Sequence, residues 1–276
     1  MDSLEHATRV NRLDETTWAT ELREDWGLWG PSGGYITSLA LRVAGEATTF
    51  TRPVSLSCQF LRVGKFMPVT LRVEKLRSGR RSELLRVDMM QDGKVLLTTT
   101  IWVMQNGADG MVHDYAKIDP LPSPDKLPSR EDLFPDQSIP PFMQRFDERP
   151  IKAMPGDNTV PREPELSGLY RLRPKGASDN IFADAGRAII LLDTYGWLAT
   201  YPAHPTRDAS PWMAPNFDYY YRFHRETMGH DWLYMSIRAN LAHDSLISTE
   251  GEIHDLQGNL LISGASQLFC RPRPNM

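Results

Sequence analysis

Residues 35–47 read YITSLALRVAGEA, and residues 182–202 read FADAGRAIILLDTYGWLATYP. Each is an apolar run of helical character followed by four strand-like segments, and that recurrence decides the fold. In the first run Ile36, Leu39, Ala40 and Val43 fall at helical spacing. Gly33-Gly34 before it and Gly45-Glu46 after it supply end signals. VSLSCQFLRV, PVTLRVEKLRSG, SELLRVDMMQDGK and VLLTTTIWVMQ follow with the period-two alternation of strands. Asp92-Gly93 between two apolar runs is a hairpin signal.

The same order returns in the second half. GLYRLRP is a short leading strand, the second helical run follows, and NFDYYYRFHRE, WLYMSIRANLAH, LISTEGEIHDLQGN and LLISGASQLFCRP supply four strands. Gln257-Gly258 takes the place that Asp92-Gly93 holds in the first half. Helix, strands and turn recurring in register read as a duplication. About half of the 21 prolines fall between Asp109 and Glu165. Proline fixes φ and donates no ladder hydrogen bond, so this stretch is not sheet interior or long helix. The expected organisation is a unit at 1–108, a proline-rich connector at 109–165 and a second unit at 166–276.

Composition narrows the class. With 41% hydrophobic and 24% charged residues, the chain has the profile of a soluble globular protein. A net charge of −4 lacks the basic excess of a nucleic-acid binder. No apolar run is long enough to span a bilayer. MDSLEHATRV lacks the basic head and apolar stretch of a secretory signal, and two cysteines, Cys58 and Cys270, suit a reducing compartment, so a cytoplasmic location is expected. The seven histidines show no metal-ligand spacing.

GPSGGYITSLALRVA, RPVSLSCQFLRVGKFMPVTLRVEKLRSGRRSELLRVDMMQDGK, IILLDTYGWLATYP, PNFDYYYRFHR and IHDLQGNLLISGASQLF resemble, in this order, the TesB-like acyl-CoA thioesterases. The resemblance covers nearly all the chain outside the connector. It implies an α+β double hotdog, two tandem units each with a bent antiparallel sheet wrapped around a central helix. It further implies hydrolysis of an acyl-CoA or acyl-carrier thioester by water held by an Asp, a Thr and a Gln, with no cofactor beyond the coenzyme A of the substrate and no metal. The Asp maps onto Asp193 and the Gln onto Gln267, a register one residue earlier giving Ser266 instead. The Thr position holds Asn216, a departure from the family. Hotdog units commonly pair edge to edge, so a homo-oligomer is expected.

Each residue has a plainer reading beside the functional one. Asp193 lies among apolar neighbours, where burial raises a carboxylate's pKa and suits a general base, but an aspartate at a helix turn also faces solvent or caps a backbone group. Asn216 follows Pro215 at a strand start, where Asn is common in turns. Only one of Gln267 and Ser266 can point into a given pocket, because strand side chains alternate. Gly33-Gly34 either lets the backbone turn or offers N–H groups to a thioester carbonyl. Tyr35 lines either pocket or core. Arg80, with Arg77 and Arg81, is either a contact for coenzyme A phosphates or an exposed charged turn. Gly30-Pro31-Ser32-Gly33-Gly34 matches G-x-S-x-G, but a nucleophile elbow needs a buried strand before it. The first thirty residues, with Trp18, Trp26 and Trp29, lack strand patterning, so Ser32 reads as a turn residue. Asp193 has no counterpart in the first copy, where Ser32-Gly33-Gly34 lies near the matching position. Two other functions stay open: a non-hydrolytic acyl-thioester or lipid-binding accessory protein, and a hotdog hydratase or dehydratase.

Overall fold

The computed structural model describes residues 2–136, 139–152, 160–174, 178, 180–204 and 211–273. Two helices form its centre, α1 at Gly33–Glu46 and α2 at Ile181–Leu198. Both begin on a side-chain cap. Ser32 Oγ accepts from the Tyr35 N–H and Asn180 Oδ1 from the Ala183 N–H, satisfying amides that the helix itself leaves free. The helices pack antiparallel and very closely. A Cβ on Gly34 would lie 2.7 Å from the Ile190 Cα, and one on Gly186 would lie 2.8 Å from Ser38 Oγ. Only glycine permits that approach.

Twelve strands among the described residues make one antiparallel sheet around this pair. In chain order they are β1 (Asn11–Arg12), β2 (Thr17–Glu21), β3 (Arg52–Phe60), β4 (Pro68–Ser78), β5 (Ser82–Gln91), β6 (Lys94–Met104), β7 (Phe146–Lys152), β8 (Glu165–Leu172), β9 (Asn216–Phe223), β10 (Leu233–His243), β11 (Leu246–His254) and β12 (Leu260–Phe269). Across the sheet they run β1-β2-β4-β5-β6-β3-β9-β12-β11-β10-β8-β7. The second half of that order repeats the first in reverse, with the join at β3 and β9, where Tyr219 pairs with Cys58 and Tyr221 with Leu56. The expected helices and their four following strands are all present.

Three strands of this sheet escaped the sequence pattern. β1 and β2 lie in the segment expected to lack strands, and β2 pairs with β4 while Trp18 is fully buried. β7 lies inside the proline-rich connector and pairs with β8 at the sheet's far edge, where Pro150 is tolerated. The two hairpins also differ. Asp92 and Gly93 both have positive φ in a two-residue turn. The β11–β12 loop runs through Asp255–Asn259, its Gly258 pressed against the connector: the Ile118 N–H donates to Gly258 O at 3.0 Å, and a Cβ on Gly258 would lie 2.1 Å from Ile118 O.

The core lies between the sheet and the helix pair. Leu39, Ala40, Val43, Ala188, Ile189 and Ile190 are buried against the inward residues of β3–β6 and β9–β12. No helix among the described residues is long and apolar enough to cross a membrane.

Candidate active site

At the N-terminus of α1 the helix pair presents Asp193 of α2 to four donors. Oδ2 accepts from Ser32 Oγ at 2.7 Å and from the Gly34 N–H at 2.7 Å. Oδ1 accepts from Asn216 Nδ2 at 3.0 Å and from the Tyr219 hydroxyl. Asn216 Nδ2 also donates to the Tyr219 oxygen at 2.9 Å. An ionised carboxylate has about four lone-pair sites, and here all are filled. Asp193, Ser32, Gly33 and Asn216 are half-buried, so the cluster keeps a solvent-reachable side, whereas Tyr219 is buried.

The electrostatics follow from the geometry. Enclosure raises the Asp193 pKa above the ordinary carboxylate range, and the bonds from Tyr219, Gly34, Ser32 and Asn216 oppose that rise. The positive end of the α1 dipole adds to the support for the anion. Gly33 is the residue that lets Tyr219 in, since a Cβ there would lie 2.6 Å from the tyrosine oxygen. The N–H of Gly33 meets no acceptor among the described residues. Burial pushes the neighbouring Cys58 thiol up to about 12, which keeps it protonated and inert at neutral pH.

Of the residues singled out in the sequence, Asp193, Asn216, Gly33 and Gly34 converge here. The others do not. Gln267 pairs with Asp218 on one side and Ser248 on the other, and its Oε1 accepts from Ser248 Oγ at 3.0 Å. Its neighbour Ser266 pairs with Tyr219 and bonds Thr249 Oγ1 at 2.6 Å. Tyr219 and Thr249 face the helices, so Ser266 shares their face and Gln267 points to the other. Ser266 is therefore the inward residue, although its partner is Thr249 rather than Asp193. Tyr35 belongs to the core: it is fully buried, stacks on Trp26 and donates to Ala7 O at 3.0 Å. Arg80 sits exposed in the β4–β5 turn, outside the cluster.

Two residues of the cluster do not stand out in the sequence. Ser32 reads locally as a turn residue, yet its hydroxyl both caps α1 and holds Asp193. Tyr219 lies three residues after Asn216, a spacing that a regular strand places on opposite faces. A bulge between Asn216 and Asp218 resets the alternation and brings both inward.

The acyl-CoA thioesterase N-terminal domain family matches residues 22–104, and the acyl-CoA thioesterase C-terminal domain family matches residues 118–269. The chain belongs to the acyl-CoA thioesterase family. Solved structures share the double hotdog over its whole length. A hot dog fold protein from Alicyclobacillus acidocaldarius superposes at TM-score 0.82 with 19% identity, covering 99% of this chain and 100% of that one. Acyl-CoA thioesterase II TesB2 from Mycobacterium marinum gives 0.77 at 19% identity, over 98% and 99%. The tesB protein of Mycobacterium avium subs paratuberculosis gives 0.74 at 20%, over 98% of both.

Proposed function

We propose that the chain hydrolyses an acyl-CoA thioester to a free acid and coenzyme A, with Asp193 as the base for the attacking water. The observation that carries this reading is the enclosed Asp193 carboxylate on the N-terminus of α1, within a half-buried cluster. With four donors in place no lone pair is free, so the water takes the position of one of them. Tyr219 is locked by packing and Gly34 is backbone, whereas Asn216 is half-exposed and keeps Tyr219 as a second acceptor when it leaves Asp193. Water oxygen then attacks the thioester carbonyl while its proton passes to Asp193. The tetrahedral intermediate then collapses, the C–S bond breaks, and the leaving thiolate takes the proton held by Asp193, which restores the carboxylate. The free N–H of Gly33 supports the developing oxyanion. Exposed Leu28 and Trp29 lie in the loop that delivers Ser32, exposed Val63 lies against Gly30 of the same loop, and together they give the acyl group an apolar margin.

Asp193→Asn tests the assignment. Thiol release, followed with DTNB across a panel from acetyl-CoA to palmitoyl-CoA plus benzoyl-CoA, should fall by roughly a thousandfold, with Tm within a few degrees of the parent. Retained turnover would sink the role.

The filled carboxylate also favours a second reading, an acyl-thioester binder that does not hydrolyse. Acyl-CoA binding by calorimetry with no thiol released by the parent chain would select it.

A further inference from the structure

We propose that Tyr219 is the positioning residue for Asp193, fixing the orientation and charge of the carboxylate during hydrolysis. The inference rests on Asp193 being the base. Tyr219 is 1% exposed, and its ring is held edge-on by Phe60 at 4.9 Å and against Tyr221 at 5.2 Å. Its backbone is pinned between Cys58 of β3 and Ser266 of β12. The hydroxyl therefore has one direction available, toward Asp193 Oδ1, which is its acceptor among the described residues. The missing side chain of Gly33 leaves the space through which it reaches.

The other donors cannot do this work alone. Asn216 and Ser32 are only half-buried, and the Gly34 N–H holds only the second oxygen. Among the bonds that oppose the effect of burial on Asp193, the one from Tyr219 is foremost. Burial and the neighbouring carboxylate push the Tyr219 phenol well above its ordinary value, so it stays protonated and acts as a donor, never as a competing base. Removing its hydroxyl leaves the ring packing in place and takes away the foremost of the bonds that hold the carboxylate's pKa down against burial.

The test is the pH profile of kcat/KM for Tyr219→Phe in the intact chain, on the fastest substrate of the acyl-CoA panel. The acid limb reports deprotonation of the free enzyme's base. Its midpoint should move up by at least one pH unit, so that activity at pH 6 falls tenfold or more and recovers toward the parent's as pH rises to 9. Tyr221→Phe, a neighbouring hydroxyl with no bond to Asp193, should leave the midpoint in place. Site-specific 3,5-difluorotyrosine at position 219, a stronger donor, should move it down, and this variant retains the buried hydroxyl if the phenylalanine chain folds poorly. An unmoved midpoint in Tyr219→Phe or the fluorinated chain overturns the positioning role. Loss of all activity in Asp193→Asn with unmoved midpoints rejects Tyr219 alone, whereas turnover by Asp193→Asn rejects the base on which the inference stands.

Discussion

The two ends of the helix pair are built on one plan and finished differently. Counted from the caps Ser32 and Asn180, Gly34 corresponds to Phe182, Ser38 to Gly186, and Gly45 to Asp193. At one end the N-terminus of α1 is bare glycine and meets a carboxylate. At the other the N-terminus of α2 carries Phe182, whose ring fills the space over Gly45, so close that a Cβ there would lie 2.6 Å from it. A helix N-terminus is an anion site only if something charged can reach its amides. The repeated unit supplies two such ends; glycine against aspartate opens one to a carboxylate, and phenylalanine against glycine turns the other into core. The first copy's counterpart of Asp193 is thus Gly45, while Ser32-Gly33-Gly34 meets Asp193 across the pair.

Emptying the filled end tests that division most severely. Phe182→Ala should cost about 3–5 kcal/mol of stability, read as a lower denaturant midpoint, with kcat on the best acyl-CoA unchanged within a factor of about two. A large loss of turnover at a temperature where the variant is folded would break the comparison. Next come the two glycines that bring the helices together. Gly34→Ala and Gly45→Ala should each destabilise by about 1–3 kcal/mol, because each new methyl meets atoms already in place. Only Gly34→Ala should also lower kcat, since its Cβ would lie 2.9 Å from the Asp193 Cβ.

A comparable effect, seen only as a change with pH, concerns Glu148. Glu148 of β7 is buried beside Tyr195 and Arg130, and burial raises its pKa to about 7. A carboxyl whose folded pKa lies above its unfolded value supports the fold fully below the unfolded value, and that support is lost as pH rises through about 7. Glu148→Gln should therefore gain on the parent as pH increases from 5 to 8, by on the order of 2 kcal/mol. Equal Tm differences at both ends of that range would rule this out.

Most of the frame was legible in the sequence because long amphipathic periods survive without context. Both central helices and the eight long strands follow from spacing and alternation alone. The edge strands did not, since Asn11–Arg12 has no period to show and Phe146–Lys152 carries a proline. Asp193 was visible as a charge in an apolar helix. Ser32 and Tyr219 were not, because nothing local marks a capping serine that reaches a carboxylate from the other copy, or a tyrosine turned inward by a bulge. For Ser266 and Gln267 the alternation was readable in principle: inward Leu268 and Ile262 share parity with Ser266.

The join between β3 and β9 has a consequence for how the chain acquires its structure. Each half carries an inner strand whose outward amides and carbonyls are satisfied only by the other half. During synthesis the N-terminal copy is complete long before β9 exists, and it waits with an open edge and with Gly33 and Gly34 facing no aspartate. Closure between segments so far apart in sequence is slow, and in that interval a β3 edge from another nascent chain offers the same pairing. Expressed alone, either half should therefore exchange strands with its own kind, and the Asp193 cluster should form only when both halves meet.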